Sequence, residues 1–122
     1  MNPMMINPQR GEIWLVNFNP QVGDEMGKAR PALVFSVDGM SRLELRIIIP
    51  ITDWKDAFHH HYTKVELHPS KQNGLTKPSA ADAFQVKSVS LQRFVGSHPL
   101  GRLPLADLND IGVALKVATG IA

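Results

Sequence analysis

Residues 11–18 read GEIWLVNF, and this octapeptide decides the class of fold. Successive side chains of a strand point to opposite faces. Trp14, Val16 and Phe18 therefore share one face, while Ile13 and Leu15 share the other. A strand with one solvated face alternates apolar and polar residues. One that is apolar on both faces belongs inside a barrel or beneath a covering layer.

Working outward, residues 19–29 (NPQVGDEMGKA) are rich in Gly, Pro and charge and read as a long loop. Residues 31–36 (PALVFS) form a second strand candidate. Residues 43–49 (LELRIII) form a third, with Leu43, Leu45, Ile47 and Ile49 expected inward. Pro50 has no N–H to give to a ladder, so that strand is expected to end there or to lie at an edge. One helical turn is expected over 53–58. Residues 62–67 (YTKVEL) alternate again, with Thr63, Val65 and Leu67 opposite Tyr62, Lys64 and Glu66. A second polar loop spans 70–79 (SKQNGLTKPS). Residues 83–95 read as a strand pair or one long bent strand carrying Phe84, Val86, Val89, Leu91 and Phe94.

The last segment has a different period. Leu105, Leu108, Ile111, Leu115 and Ala118 recur at spacings of three and four, which is one helix face. Pro104 suits the start, Asp107 complements the N-terminal dipole, Leu103 is a poor N-cap, and Gly120 suits the stop. Short strands followed by one helix make a small, mainly β barrel with a helix packed on it.

The chain has 122 residues, enough for one domain over 1–122, with 1–9 read as a short mobile extension. It has no cysteine, which removes thiol catalysis, thiolate zinc sites and disulfides and suits a reducing cytoplasm. No run approaches the roughly 20 apolar residues of a membrane span. Thirteen Lys and Arg against 11 acids permit nucleic-acid binding without demanding it.

Four stretches, in order, resemble the MazF/PemK toxin family. They are Arg10-Gly11-Glu12-Ile13-Trp14 with Asn19-Pro20; Gly23-Asp24-Glu25-Met26-Gly27-Lys28-Ala29-Arg30-Pro31-Ala32-Leu33-Val34; Pro50-Ile51-Thr52; and Gly74-Leu75 with Gln85-Val86-Lys87-Ser88. Together they cover nearly the whole chain. One departure stands out, because family members often carry an acid immediately before the glutamine, where this chain has Phe84. Asp82 is close by and shares that side only if the strand register allows it, so the departure bears on RNA base preference more than on the chemistry.

The resemblance implies a small SH3-like β-barrel with a C-terminal helix and two long loops over one mouth. It implies a homodimeric toxin of a type II toxin–antitoxin system that cleaves single-stranded RNA without metal or other cofactor. The 2′-hydroxyl would attack the adjacent phosphorus, giving a 2′,3′-cyclic phosphate and a 5′-hydroxyl. An antitoxin with an acidic, flexible tail would block the groove, and DNA would be met only through the toxin–antitoxin complex. The implied alternatives are a gyrase-poison-like toxin and a catalytically dead barrel that binds protein or RNA.

Onto this chain the resemblance carries three catalytic candidates. The Arg30 guanidinium can hold two phosphoryl oxygens and stays charged, and Pro31 biases its backbone toward an extended form. Read without the family, Arg30 is equally an ordinary solvated arginine at a strand start. Thr52 can donate to a non-bridging oxygen, or cap the turn that follows. Glu25 is the candidate general base, or a solvated loop acid whose pKa a nearby Arg30 would lower rather than raise. Lys28, Lys77 and Lys87 are candidates for tracking the RNA backbone, with Gln85 from the fourth stretch. Phe18, Trp54 and Phe84 could stack on unpaired bases, Trp54 on its polar turn being the better candidate. Phe18 reads as core. The run His59-His60-His61 lacks a carboxylate at metal-site spacing and reads as a polar loop, so no metal site is assigned.

Overall fold

The computed structural model describes residues 6–40 and 42–121. Among these, eight antiparallel strands and one α-helix follow in chain order. They are β1 (Glu12–Asn17), β2 (Ala29–Val34), β3 (Leu45–Asp53), β4 (Lys64–Leu67), β5 (Ser79–Asp82), β6 (Lys87–Ser90), β7 (Phe94–Val95), β8 (Gly101–Arg102) and α1 (Leu105–Thr119). The hydrogen-bonded order is β4-β5-β3-β2-β1-β7, with β6 added to β3 and β8 to β1. The sheet does not close on itself through hydrogen bonds among the described residues; it is a bent, barrel-like sheet with the helix on one side.

The double-faced reading of β1 explains this shape. Register sets Ile13 against Leu33 and Leu33 against Ile49, a row that α1 covers with Leu108 and Ile111. The opposite parity, Trp14, Val16, Phe18, Ala32, Val34 and Ile48, packs under Val89, Leu91 and Phe94 from the returning strands. Phe18 is core, as expected. Each face of the central three strands is thus buried against its own cluster.

The third strand departs from expectation in phase. Leu43, Leu45 and Ile47 are exposed, with Arg46 and Ile48 buried on the other parity, whereas Ile49 is buried as expected. The cause is Arg46, which is only 4 % exposed. Its Nε donates to the Pro8 carbonyl at 3.0 Å, Nη1 to the carbonyls of Leu43 and Leu45 at 2.8 Å, and Nη2 to Asn7 Oδ1 at 2.9 Å. Burial lowers its pKa from the ordinary value, with Asp38 acting in the opposite sense. Residues 6–9, assigned above to the mobile extension, are held by this clamp: Pro8 is fully buried and Ile6 packs on the second cluster. Residues 1–5 lie outside the described residues. Arg46→Met is expected to cost about 3 kcal/mol in a urea titration, because it leaves buried carbonyls unpaired.

β3 also runs through Pro50 rather than ending there. Along one edge it pairs β6 over Leu45–Ile48 and β5 over Ile51–Asp53, so Pro50 falls where the partner changes. The expected helical turn appears as a 3-10 turn at Asp56–His60. Residues 83–95 break into two 3-10 turns, Ala83–Gln85 and Leu91–Arg93, with β6 and β7 between and after them. Phe84 is 69 % exposed. In α1 the buried stripe is Leu108, Ile111 and Ala114, and Leu105 points to solvent. The helix is N-capped by Pro104 and ends at Gly120 in the left-handed region, with φ 73°.

Candidate active site

Arg30 and Thr52 stand at the same end of neighbouring strands. The β2–β3 register pairs Ala32 with Pro50, and two residues further along the same ladder Arg30 comes opposite Thr52. Both residues line a cleft of about 310 Å³, floored by Ile51 and Leu75 and rimmed by Asp53 and Lys77. Those two rim groups form an ion pair of 3.0 Å. A second hollow of about 210 Å³, containing Phe18, Glu25, Met26, Pro50, Gln85 and Lys87, adjoins the same end of β3.

Arg30 is half-buried, and its Nε donates to the Gly27 carbonyl at 3.0 Å. That bond fixes the plane of the guanidinium and leaves Nη1 and Nη2 without a hydrogen-bond partner among the described residues, available to an anion. Thr52 is half-buried and keeps its hydroxyl unengaged among the described residues. It does not cap the following turn, whose N-cap is Lys55. Glu25 is exposed in the neighbouring hollow and makes no ion pair with Arg30 among the described residues.

The other candidates divide. Lys87 lines the second hollow and Lys77 the first. Lys28 is exposed but its backbone does structural work: φ is +66°, and its N–H donates to Asn19 Oδ1 at 2.8 Å while Phe18 N–H donates to the Lys28 carbonyl at 2.8 Å. These bonds close the base of the loop between β1 and β2. Trp54 lines neither hollow; it sits edge-on to Phe58 and His59, at centroid distances of 5.6 and 5.0 Å. Gln85 is turned inward, its Oε1 accepting from Met26 N–H at 2.8 Å and its Nε2 donating to Asp82 Oδ2 at 3.0 Å. The three histidines are exposed, with His59 and His61 against aromatic rings.

Four residues to which the sequence assigned no role also shape this region: Arg93, Asp82, Gly74 and Gly101. Arg93 Nη1 donates to the carbonyls of Asn17 and Asn19 at 3.1 and 2.6 Å, anchoring the loop from the far side. Asp82 is buried and holds Gln85, which lines the second hollow. Gly74 and Gly101 bring two backbones together behind the first. Gly74 stands in the fourth stretch and Asp82 is the acid close to Phe84; Arg93 and Gly101 carry no local signal.

Residues 9–119 match the family described as PemK-like, MazF-like toxin of type II toxin-antitoxin system. The chain belongs to this family. Among its relatives is the endoribonuclease MazF9 of Mycobacterium tuberculosis, 30% identical over 115 residues, which are 89% of this chain and 93% of that protein. The MazF crystal structure from Deinococcus radiodurans superposes with a TM-score of 0.77 at 26% identity, covering 93% of this chain and 97% of that one. A MazE-MazF structure from the same organism gives a TM-score of 0.71 at 25% identity over 95% and 98% of the two chains. The PemK/MazF assignment accounts for the bent sheet with its C-terminal helix and for the order of the four stretches. No helix among the described residues is long and apolar enough to cross a membrane.

Proposed function

We propose that this PemK/MazF-family toxin is a sequence-specific, metal-independent endoribonuclease of single-stranded RNA, and that Arg30 and Thr52 carry the reaction. The carrying observation is their juxtaposition across β2 and β3, with a fixed guanidinium and an unengaged hydroxyl facing one strand end. The 2′-oxygen of the RNA attacks the adjacent phosphorus and loses its proton. The bond from phosphorus to the 5′-oxygen breaks, and that oxygen takes up a proton. Arg30 and Thr52 stabilise the charge that accumulates on the phosphoryl oxygens. Glu25, exposed in the neighbouring hollow, is the candidate to accept the proton of the nucleophile. Lys28, Lys77 and Lys87 contribute positive charge along the strand, Lys77 after release from Asp53. Gln85 reaches RNA only by giving up its internal bonds, and Trp54 only by leaving its neighbours. The antitoxin partner follows from the family and from relatives solved as MazE-MazF complexes. A homodimer in the cytoplasm completes the reading.

The test is incubation of the purified protein with a mixed single-stranded RNA pool in EDTA. Discrete cuts ending in 2′,3′-cyclic phosphate support the proposal; intact RNA beside a folded sample rejects it in favour of a protein-binding toxin or a dead barrel. Thr52→Val, which keeps shape and removes the donor, is expected to lower kcat by about 10²-fold with a small change in KM.

A further inference from the structure

Asp82 is 4 % exposed, at the end of β5, and both of its carboxylate oxygens are engaged. Oδ1 accepts from Phe84 N–H at 3.2 Å; Oδ2 accepts from Gln85 Nε2 at 3.0 Å and lies 3.7 Å from Lys64 Nζ. A carboxylate can only accept, so it fixes which end of the Gln85 amide faces it. Oε1 is thereby turned toward the loop, where it accepts from Met26 N–H, 59 residues earlier in the chain. Met26 follows Glu25 and precedes Gly27, whose carbonyl holds Arg30 Nε.

We propose that Asp82 is a positioning residue for the cleavage reaction: by setting the polarity of the Gln85 amide it latches the Glu25–Arg30 segment beside the cleft. The proposal rests on the endoribonuclease reading above. Family members often carry an acid where this chain has Phe84; Asp82 stands two residues earlier and meets the loop through the Gln85 side chain. Its charge is balanced by Lys64, whose ammonium also lies over the Phe58 ring at 5.0 Å. The latch therefore spans from the turn after β3 to the loop after β1.

Polarity is what the test must separate from packing. Asp82→Asn keeps size but lets the amide pair flip together. Gln85→Glu keeps the acceptor for Met26 but sets two carboxylates face to face. Combining both restores one donor, one acceptor and the original net charge, now reversed between the two positions. Each variant is compared with wild type by amide hydrogen exchange at Met26 without RNA, by steady-state RNA cleavage and by melting temperature. Each single variant is expected to lose Met26 protection and to lower kcat by about tenfold to a hundredfold, with little change in KM. The double variant should regain both within a few fold. Wild-type exchange at Met26 in either single variant overturns the latch. Lost protection with wild-type kcat overturns the positioning role. A fall in activity that tracks melting temperature and is not regained in the double variant also overturns it, assigning Asp82 to stability alone. If wild-type protein cleaves no RNA, the endoribonuclease reading fails and the catalytic role of Asp82 with it. The exchange data then separately show whether the latch exists.

Discussion

Arg30→Ala is expected to lower RNA cleavage by about 10²–10³-fold while leaving unfolding stability within about 1 kcal/mol of wild type. The rate falls because the guanidinium supplies two N–H donors and a full charge to oxygens that become more negative in the transition state. Stability changes little because Arg30 is half-buried and its protein bond is a single one, from Nε to the Gly27 carbonyl. Arg30→Lys restores charge without the planar pair of donors and should recover only part of the loss. Parallel measurement of cleavage in EDTA and of urea unfolding decides the matter. Cleavage by the alanine variant at the wild-type rate would remove Arg30 from the chemistry.

The second large effect concerns the wall behind the cleft. A Cβ added to Gly101 would lie 2.3 Å from Asn73 C and 2.5 Å from the Gln72 carbonyl oxygen. One added to Gly74, at φ +71°, would lie 2.0 Å from the Leu100 carbonyl oxygen. In each case the obstacle is backbone and cannot rotate away. The same contact is held by Arg102 N–H donating to the Gln72 carbonyl at 2.8 Å. Gly101→Ala and Gly74→Ala are therefore each expected to cost more than about 4 kcal/mol, a large share of the total stability of a domain this size. Gly39→Ala, with open space around its Cβ position, is the matched control and should be close to neutral. Denaturant midpoints by circular dichroism that coincide for all three variants would refute the steric account.

These residues also mark where the sequence is readable. β1 was legible because its apolar residues occupy both parities, and nothing but burial on both sides satisfies that pattern. The helix was legible from its period, apart from Leu105, since the face that packs is centred one position away, on Leu108, Ile111 and Ala114. β3 was misread in phase because an arginine among aliphatics was assigned to solvent. Arg46 is instead satisfied by carbonyls of residues 8, 43 and 45, and residue 8 is remote in the chain. In the site, Arg30 and Thr52 could be singled out because each sits in a short, ordered stretch at a strand end. The inward turn of Gln85 could not be foreseen, since its partner in the loop is 59 residues away. Asp82 was visible in the sequence as the acid close to Phe84, but its role rests on a set of contacts and not on a pattern.

β3 contributes Ile48 to one hydrophobic cluster and Ile49 and Ile51 to the other, and it ends at the cleft with Thr52 and Asp53. Such a strand acts as a common axle. Packing on either face of the sheet therefore bears on the one strand that carries Thr52. A protein that gripped the exposed Leu45 and Ile47 side of this strand would hold a lever on Thr52, and could restrain the chemistry without covering it.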